Sequence, residues 1–246
     1  SASSASAPVA MTSSPNWRTR RSLRAFALAV AVTIAVALLI GTFHAWLITV
    51  VGLPAFVATL ASLVGLRSFA KLLVPNVTGG SGVIALRNEQ LRSISNDNWW
   101  MSVALWGVLC VITWIMLSRS VVGRHIYAMG GNEQAAKLSG IRTDMLKWLA
   151  YCISSVTAAI SGILYTCYIT TANPSRDGMG YELNAIASAV VGGCSLAGGV
   201  GTVGGIVLGA LFLRVVIDVV EKTLGNPDLM EGLVVGALVV MPVAFN

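Results

Sequence analysis

The sequence predicts an all-α fold, a polytopic transmembrane helical bundle that contains one broken or re-entrant glycine-rich helix. Of its 246 residues, 56% are hydrophobic and 11% are charged, and the mean hydropathy is +0.79. Several apolar runs are also long and uninterrupted. A bilayer core of about 30 Å requires roughly 20 apolar residues per helix, and a helix satisfies its own backbone polar groups. The chain is therefore predicted to lie in a lipid bilayer.

The formal net charge of +6 comes from 16 Lys and Arg against 10 Asp and Glu. In a membrane protein such an excess marks cytoplasmic loops, so we interpret the charge as topology and expect no nucleic-acid partner. No metal site is predicted either, because the cysteines lie in or beside apolar runs without paired metal-ligand spacing. They are Cys110, Cys152, Cys167 and Cys194.

Residues 1–24 are predicted to form a disordered, basic N-terminal segment, because Ser, Ala and Pro dominate its first part and "WRTRRSLR" follows. Residues 25–246 are predicted to form one transmembrane domain. Its first span is the apolar run from Ala25 to Val51, which is long enough to cross a bilayer with some tilt. Pro54 then breaks the helix.

Two further spans precede the middle of the chain. The second is predicted from about Ala55 to Leu73, followed by a polar connection from Pro75 to Asn98. The third is predicted from about Trp99 to Leu117 and opens on the Trp pair that is typical of a membrane interface.

A polar, basic segment covers residues 119–147, and the positive-inside rule places it in the cytoplasm. A fourth span is predicted from about Trp148 to Thr170. Within it, small residues recur every four positions and offer a face that another helix can approach closely. These are Ser154, Ala158 and Gly162.

The last part of the chain contains the predicted broken helix. The outer loop "TANPSRDGMGYEL" leads to "NAIASAVVGGCSLAGG", which is apolar but too short and too rich in glycine for an ordinary span. Non-helical backbone at membrane depth is tolerated only inside protein or beside water. Two more apolar helices are predicted, at about Thr202 to Val220 and Leu229 to Val243.

This topology contains a conflict. Three spans between Arg24 and Arg119 place the basic "RTRR" and the basic central segment on opposite sides of the membrane. We give the central segment more weight, because it carries more positive charge near two span ends.

Inside the central segment, "MGGNEQAAKLSGI" predicts a helix of about two turns. Asn132 is a typical N-cap, Glu133 favours the positive helix end, and Gly140 favours a left-handed C-terminal cap. Glu133 and Lys137 are spaced for an ion pair.

A small apolar side is predicted for the same helix, formed by Ala135 and Leu138 with Ile141 just beyond. So short a helix is marginal in water, so we expect something to hold it. Two interpretations remain open from the residues alone: a helix lying on lipid headgroups, or a docking helix for a soluble partner.

The longer stretch "GRHIYAMGGNEQAAKLSGI" resembles the cytoplasmic coupling segment of permease subunits of bacterial ABC importers, in the subgroup that takes up ribose and other monosaccharides. The wider superfamily has Glu-Ala-Ala, three residues and Gly, and here Gln134 stands at the place of that Glu. The resemblance implies that an ATP-binding subunit docks on Gly131, Asn132, Glu133, Gln134, Ala135, Ala136 and Gly140.

A second block, "NPSRDGMGYELNAIASAVVGGCSLAGGVGTVGGIVLGAL", resembles the same subgroup, with Asn173 in place of the usual Gln before Pro174. The resemblance runs from about Leu39 to the C-terminus. It implies a bacterial inner-membrane permease that moves a monosaccharide from an external binding protein to the cytoplasm. It also implies a second permease copy or paralogue as a partner, and a chain that lacks some N-terminal spans of the family.

The sequence "G-V-G-T-V-G" from Gly199 to Gly204 has the spacing of a dinucleotide-binding loop, but no strand precedes it. Close helix packing accounts for it better, through glycines spaced by four. The predicted packing glycines are Gly201, Gly205 and Gly209. No Walker A sequence is present, so ATP is expected on a partner subunit and no cofactor on this chain.

Polar residues in apolar surroundings are the candidates for a substrate pathway. Arg214 and Asp218 lie four apart in an apolar helix, where they either lock the helix as an ion pair or face the pathway. Glu182 either caps the broken helix or hydrogen-bonds sugar hydroxyls. The predicted pathway residues are Asn173, Glu182, Asn184, Arg214 and Asp218.

Three functions are compatible with these features. The first is the permease subunit of an ATP-driven monosaccharide importer, which is not itself an enzyme. The second is an ion-gradient-driven transporter that uses Arg214 and Asp218 as a charge relay. The third is a truncated membrane scaffold that does not transport.

Overall fold

The computed structural model describes residues 16–85, 99–223, 232 and 236–238. This part of the chain is helical, apart from two strands of two residues each that pair antiparallel, β1 (Ile84–Ala85) and β2 (Thr171–Ala172). The helices are α1 (Asn16–Thr49), α2 (Ala55–Thr78), α3 (Trp99–Arg119), α4 (Val121–Gly131), α5 (Glu133–Leu138), α6 (Thr143–Ile169), α7 (Tyr181–Val191) and α8 (Val203–Thr223).

Five of these helices, α1, α2, α3, α6 and α8, contain stretches that are long and apolar enough to cross a membrane. Their large apolar side chains point outward, as Phe56 at 73% and Val77 at 78% exposure illustrate. Such surfaces are unfavourable in water but match a lipid solvent. The all-α polytopic bundle predicted from composition is therefore confirmed.

Several predicted boundaries differ from the structure. α1 begins at Asn16, so residues 16–24 of the predicted disordered segment are helical, because "NWRTRRSLR" contains neither Gly nor Pro to stop the helix. α2 continues through Pro75 to Thr78, where Gly79 caps it in a left-handed conformation. The fourth span begins earlier than predicted, at Thr143.

Three predictions fall wholly or mainly outside the described residues. The first is the start of the chain, residues 1–15, and the second is the polar connection from Pro75 to Asn98, of which residues 86–98 are not described. The third is the last predicted helix, of which only residues 232 and 236–238 are described.

α1 and α6 pack antiparallel. Trp148 Nε1 donates to Thr49 Oγ1 at 2.9 Å, which places the end of α1 beside the start of α6. Closer to the N-terminus of α1, a Cβ on Gly41 would lie 3.2 Å from Cys152 Cα and would collide with the Ser155 hydroxyl. The close approach on α6 therefore uses the turn around Ser155, one residue away from the face that was predicted through Ser154.

α7 and α8 form a second antiparallel pair. With 11 residues, α7 is about 16 Å long, roughly half the thickness of the bilayer core. Its C-terminal cap is Gly192, whose backbone is so close to α8 that a Cβ would lie 2.8 Å from Ile206 Cα. Ala187, Leu213 and Ile217 form a buried apolar cluster between the two helices, and Val190 of α7 is also buried.

Candidate functional site: a coupling segment and an outer cavity

The coupling segment, residues 119–147, consists of α4, α5 and the start of α6. Ser120 caps α4 by accepting a hydrogen bond from Gly123 N at 3.0 Å. Asn132 separates α4 from α5: its backbone N–H donates to Ala128 O at 3.1 Å, and its Oδ1 accepts from Ala135 N at 3.0 Å. The predicted cap at Asn132 is confirmed, whereas α4 was not predicted, because its apolar run is short and contains three glycines.

The C-terminal end of α5 also has the predicted geometry. Gly140 has a φ of +82° and donates to Lys137 O at 3.0 Å, while Ile141 N donates to Ala136 O at 3.1 Å. This pattern satisfies the last carbonyls of the helix through a left-handed residue, which glycine adopts without a steric penalty.

The two faces of α5 differ in exposure. Ala136 is 4% exposed and faces the protein, whereas Leu138 is 91% exposed. Ala135 and Gln134 are also exposed. The predicted apolar side of Ala135 and Leu138 is thus the free side of the helix, and Ala136 holds the helix to the bundle.

The carboxylate of Glu133 connects α5 to α6 through an ion pair. Glu133 Oε1 lies 2.6 Å from Lys147 Nζ and 3.1 Å from Lys137 Nζ. The hydrogen bonds from Lys147 first, and then from Lys137, lower the pKa of the Glu133 carboxyl below its ordinary value. The pair of Glu133 with Lys137 was predicted, and the shorter contact with Lys147 was not.

The coupling segment also contacts the turn between α7 and α8. Tyr127 Oη donates to Gly201 O at 2.8 Å. Beside it, a Cβ on Gly130 would lie 2.6 Å from Gly199 N, so the two backbones touch. This contact connects the segment directly to the broken helix.

The packing glycines predicted from the sequence lie in two different environments. Gly205 and Gly209 are in α8 against α7, where a Cβ on Gly209 would lie 2.7 Å from Gly192 N. Gly201 precedes α8, which begins at Val203, so it is part of the turn and not of the helix groove. There a Cβ on Gly201 would lie 2.7 Å from Cys194 Sγ.

On the other side of the membrane, a cavity of about 1230 Å³ opens between α6, the loop after it, α7 and α8. Four of the five predicted pathway residues line it: Asn173, Glu182, Asn184 and Arg214. The rest of the wall includes the small residues Ser154, Ala158 and Gly162. The small-residue face of α6 therefore borders open space in this chain, where a neighbouring helix had been predicted.

The loop at the mouth of this cavity is held from two directions. Asn173 Oδ1 accepts from Ser175 N at 2.9 Å, and Asn173 N donates to Asp177 Oδ2 at 2.7 Å. From α2, the guanidinium of Arg67 donates to Gly178 O at 2.9 Å. Arg67 was not singled out in the sequence, since its partner is 111 residues away.

Glu182 and Asn184 enter the cavity from the first turn of α7. The N-cap of this helix is Gly180, with a φ of +78°, and no side chain bonds to the cap. Glu182 therefore does not act as the capping residue. Its carboxylate lies in the first turn, where the positive helix end favours it, and on the cavity wall.

Arg214 and Asp218 form an ion pair on α8, with Arg214 Nη2 2.9 Å from Asp218 Oδ1. The pair is exposed, at 67% and 44% of the two side chains. Arg214 also borders the cavity. Both features that the sequence left open, the mutual pair and a position on the cavity, thus occur together.

This architecture is that of a polytopic membrane protein, with five helices long enough to span a bilayer and a half-length helix beside a cavity. The chain belongs to the family described as "Branched-chain amino acid transport system / permease component", whose model matches residues 2–243.

Curated relatives are similar over most of this chain. The ribose import permease protein RbsC of Escherichia coli K12 is 34% identical over 195 residues, which is 75% of this chain and 58% of the relative. The autoinducer 2 import system permease protein LsrC of Yersinia pestis, strain Pestoides F, is 37% identical over 216 residues, 83% of this chain and 58% of the relative. The chain thus matches somewhat more than half the length of these relatives. No solved structure shows significant similarity to it.

Proposed function

We propose that the chain is the membrane-spanning permease subunit of an ATP-driven importer in the bacterial cytoplasmic membrane, for a monosaccharide such as ribose. An extracytoplasmic binding protein would deliver the sugar to the outer cavity. A separate ABC subunit would bind and hydrolyse ATP, so this chain itself would hold no cofactor and catalyse no reaction. A second copy or a paralogue would complete the pathway, and no nucleic acid would take part.

The observation that carries the proposal is the construction of α5. Its inner residue Ala136 is buried at 4% exposure, while Leu138 on its free side is 91% exposed. A lipid-bound helix normally has a broad apolar face and a basic polar face. α5 has instead a small exposed surface of Ala135 and Leu138, of a size that fits a groove in a partner protein.

A route for mechanical coupling follows from the contacts. α5 is joined to α6 by Glu133 and Lys147, and α4 contacts the α7–α8 turn through Tyr127 and Gly201. A push on α5 by ATP-driven closure of the partner would therefore reach α6 and α7, the two helices that carry much of the cavity wall. Such a two-state element is biased by a remote ligand.

A sugar substrate is supported by the two relatives, since RbsC is a ribose import permease and LsrC is an autoinducer 2 import permease. The family description names branched-chain amino acids. Uptake of radiolabelled ribose and valine in cells that express the chain with its partner genes separates the two substrate classes.

The test of docking uses Ala135, which is exposed on the free side of α5 next to the buried Ala136. Ala135→Arg on the free face should abolish stimulation of the partner's ATPase while the permease still inserts and folds. Ala135→Ser is the matched small substitution and should keep most of the stimulation. Unchanged stimulation and uptake in Ala135→Arg would reject docking on α5. Crosslinks from Leu138→Cys should reach the ATP-binding subunit, and crosslinks to lipid alone would contradict the proposal.

An ion-gradient mechanism predicts a different result. In that case uptake collapses when a protonophore dissipates the proton gradient, and Asp218→Asn stops transport. Under our proposal, uptake follows ATP and Asp218→Asn leaves it largely intact, because the pair with Arg214 is exposed and such pairs contribute about 0 to 1 kcal/mol.

A further inference from the structure

A second cavity, of about 480 Å³, lies between α1, α2 and α6. We infer that this inner cavity is a binding site for a neutral, polyhydroxylated molecule. The imidazole of His44 and the hydroxyl groups around it would hold that molecule. The inference rests on the proposed transport function, which it extends along the membrane from the outer cavity. Its polar lining is formed by Thr33, His44, Thr59, Tyr151, Ser154 and Ser155.

The first observation is an unsatisfied nitrogen. In the described part of the chain, His44 Nε2 is buried and has no hydrogen-bond partner. Buried polar groups in native proteins are almost always paired, and an ionisable residue within a membrane span is costly, which makes it a candidate functional residue. The ring of Tyr151 stands beside it, with the two centroids 6.4 Å apart. Nε2 itself is closed to a molecule the size of water, so the imidazole, which lines the cavity, would turn toward it to take a ligand hydroxyl as the missing partner.

The second observation is continuity with the outer cavity. Ser154 and Ala158, one turn apart on α6, line both cavities. The inner cavity continues from them toward the coupling side, to Tyr151, and the outer cavity continues in the opposite direction, to Tyr165. The two cavities therefore follow one face of α6 at successive heights.

The third observation concerns charge. Among the described residues that line the inner cavity, none is Asp, Glu, Lys or Arg. The ammonium and carboxylate groups of an amino acid would lose their hydration there without gaining a counter-charge, which is strongly unfavourable. A neutral polyol loses only hydroxyl hydration, and His44 and the hydroxyl groups replace it. The apolar part of the wall, including Val36 and Ile40, suits the C–H face of a sugar ring.

The volume of the inner cavity is consistent with this ligand class, since small-molecule sites usually measure about 300 to 1,000 Å³.

The hydroxyls of Thr33, Thr59 and Ser155 donate to backbone carbonyls of their own helices, at 2.8, 2.9 and 3.0 Å. Their oxygens keep acceptor capacity, so they can receive hydrogen bonds from ligand hydroxyls.

The test uses the full chain in lipid nanodiscs, with the four native cysteines replaced by serine and one reporter cysteine, Thr59→Cys. A hydrophilic maleimide reports access to the cavity. We expect D-ribose and ribitol to slow labelling several-fold and L-valine to leave it unchanged. Thr113→Cys is the matched control. The Thr113 hydroxyl also donates to the carbonyl four residues earlier, at 2.8 Å, but Thr113 lies in α3, outside the cavity. Labelling of Thr113→Cys should therefore not change when a polyol is added.

Two variants test the residues themselves. His44→Phe should weaken ribose protection about tenfold, as expected for the loss of a buried hydrogen bond, and His44→Gln should restore part of it. Ser154→Ala removes a hydroxyl with little change in packing and should also weaken protection, which keeps the test valid if His44→Phe fails to fold.

The inference is overturned if neither polyol protects Thr59→Cys, if L-valine protects it equally, or if both His44→Phe and Ser154→Ala leave protection unchanged. The labelling needs no ATP-binding partner, so its result is independent of the proposed function. If the polyols protect Thr59→Cys but cells show no ATP-dependent ribose uptake, the proposed function alone is rejected. If cells take up ribose but the polyols do not protect Thr59→Cys, the inner binding site alone is rejected.

Discussion

Lys147 Nζ at the start of α6 lies 2.6 Å from Glu133 Oε1 in α5, across 14 residues of chain. The Lys147 side chain is 24% exposed and that of Glu133 37%. This contact joins the short polar helix to a membrane span, and α5 has the buried Ala136 as its other anchor. Several consequences for coupling can be measured on these residues.

Removing the ion pair should impair coupling more than folding. Partly exposed pairs contribute about 0 to 1 kcal/mol, so Lys147→Met should leave the melting temperature nearly unchanged. The same substitution should lower ribose-stimulated ATPase activity of the assembled importer about two- to fivefold, because 1 kcal/mol corresponds to about a fivefold change in an equilibrium constant. Asp144→Asn, an exposed acid in the first turn of α6, is the control, and an equal loss in that variant would contradict the role of Lys147.

The strength of the ion pair between Glu133 and Lys147 should also depend on pH, in a direction that follows from the pKa of Glu133. The pKa of Glu133 is lowered by Lys147 and then by Lys137, so its folded-state pKa is below the unfolded one. The stabilisation is complete above the ordinary glutamate range and is lost as the pH falls through the lowered pKa. The protection of the α5 amides, that is, their exchange rate relative to the intrinsic rate at the same pH, should therefore be constant at neutral pH and fall only in acid. Glu133→Gln should remove this loss of protection, and its persistence in that variant would assign the pH effect to another group.

Sequence reasoning found the features that depend on neighbours along the chain. Asn132 as a cap and Gly140 as a left-handed terminator act over three or four residues, so their types and spacing are sufficient to predict them. The five apolar spans follow from the length and hydropathy of each run. The same local logic missed α4, whose 11 residues include three glycines.

The features that were missed join distant residues or depend on helix rotation. The partner of Tyr127 is 74 residues away and that of Arg67 is 111 residues away. Nothing in a single sequence pairs them. Likewise, the small-residue period on α6 was correct in spacing, but only the packed structure shows that Ser155 meets α1 and Ser154 borders the cavities. Four of the five candidate pathway residues line the outer cavity, because polar exceptions in apolar runs are visible in the sequence; that they form a substrate pathway stays a prediction.

The hydrogen bond from Tyr127 to Gly201 should carry part of the coupling between the polar segment and the broken helix. Tyr127→Phe removes only the hydroxyl, and a typical hydrogen bond contributes about 0.5 to 1.5 kcal/mol. We expect a small decrease in stability and a clear decrease in ATP-dependent uptake, with sugar binding unchanged. Tyr168→Phe, at a residue that is 65% exposed on α6, is the matched control. Equal uptake by both variants would show that the contact is only structural.

The close approach of α7 to α8 should make two neighbouring glycines differ sharply in tolerance. A Cβ on Gly209 would lie 2.7 Å from Gly192 N and 2.9 Å from Gly192 Cα, whereas a Cβ on Gly204 would meet nothing within 4 Å. Because the obstructing atoms of Gly192 are backbone atoms, they cannot rotate away, and Gly209→Ala should destabilise the protein by about 1 to 3 kcal/mol. Gly204→Ala adds the same methyl group to the first turn of the same helix and should leave the stability nearly unchanged, because the added methyl group meets no neighbouring atom. Thermal unfolding in detergent, followed by intrinsic fluorescence, compares the two variants directly. Equal melting temperatures would mean that α7 and α8 are farther apart than the structure shows, and the half-length helix would then lack the support that positions Glu182 and Asn184 in the outer cavity.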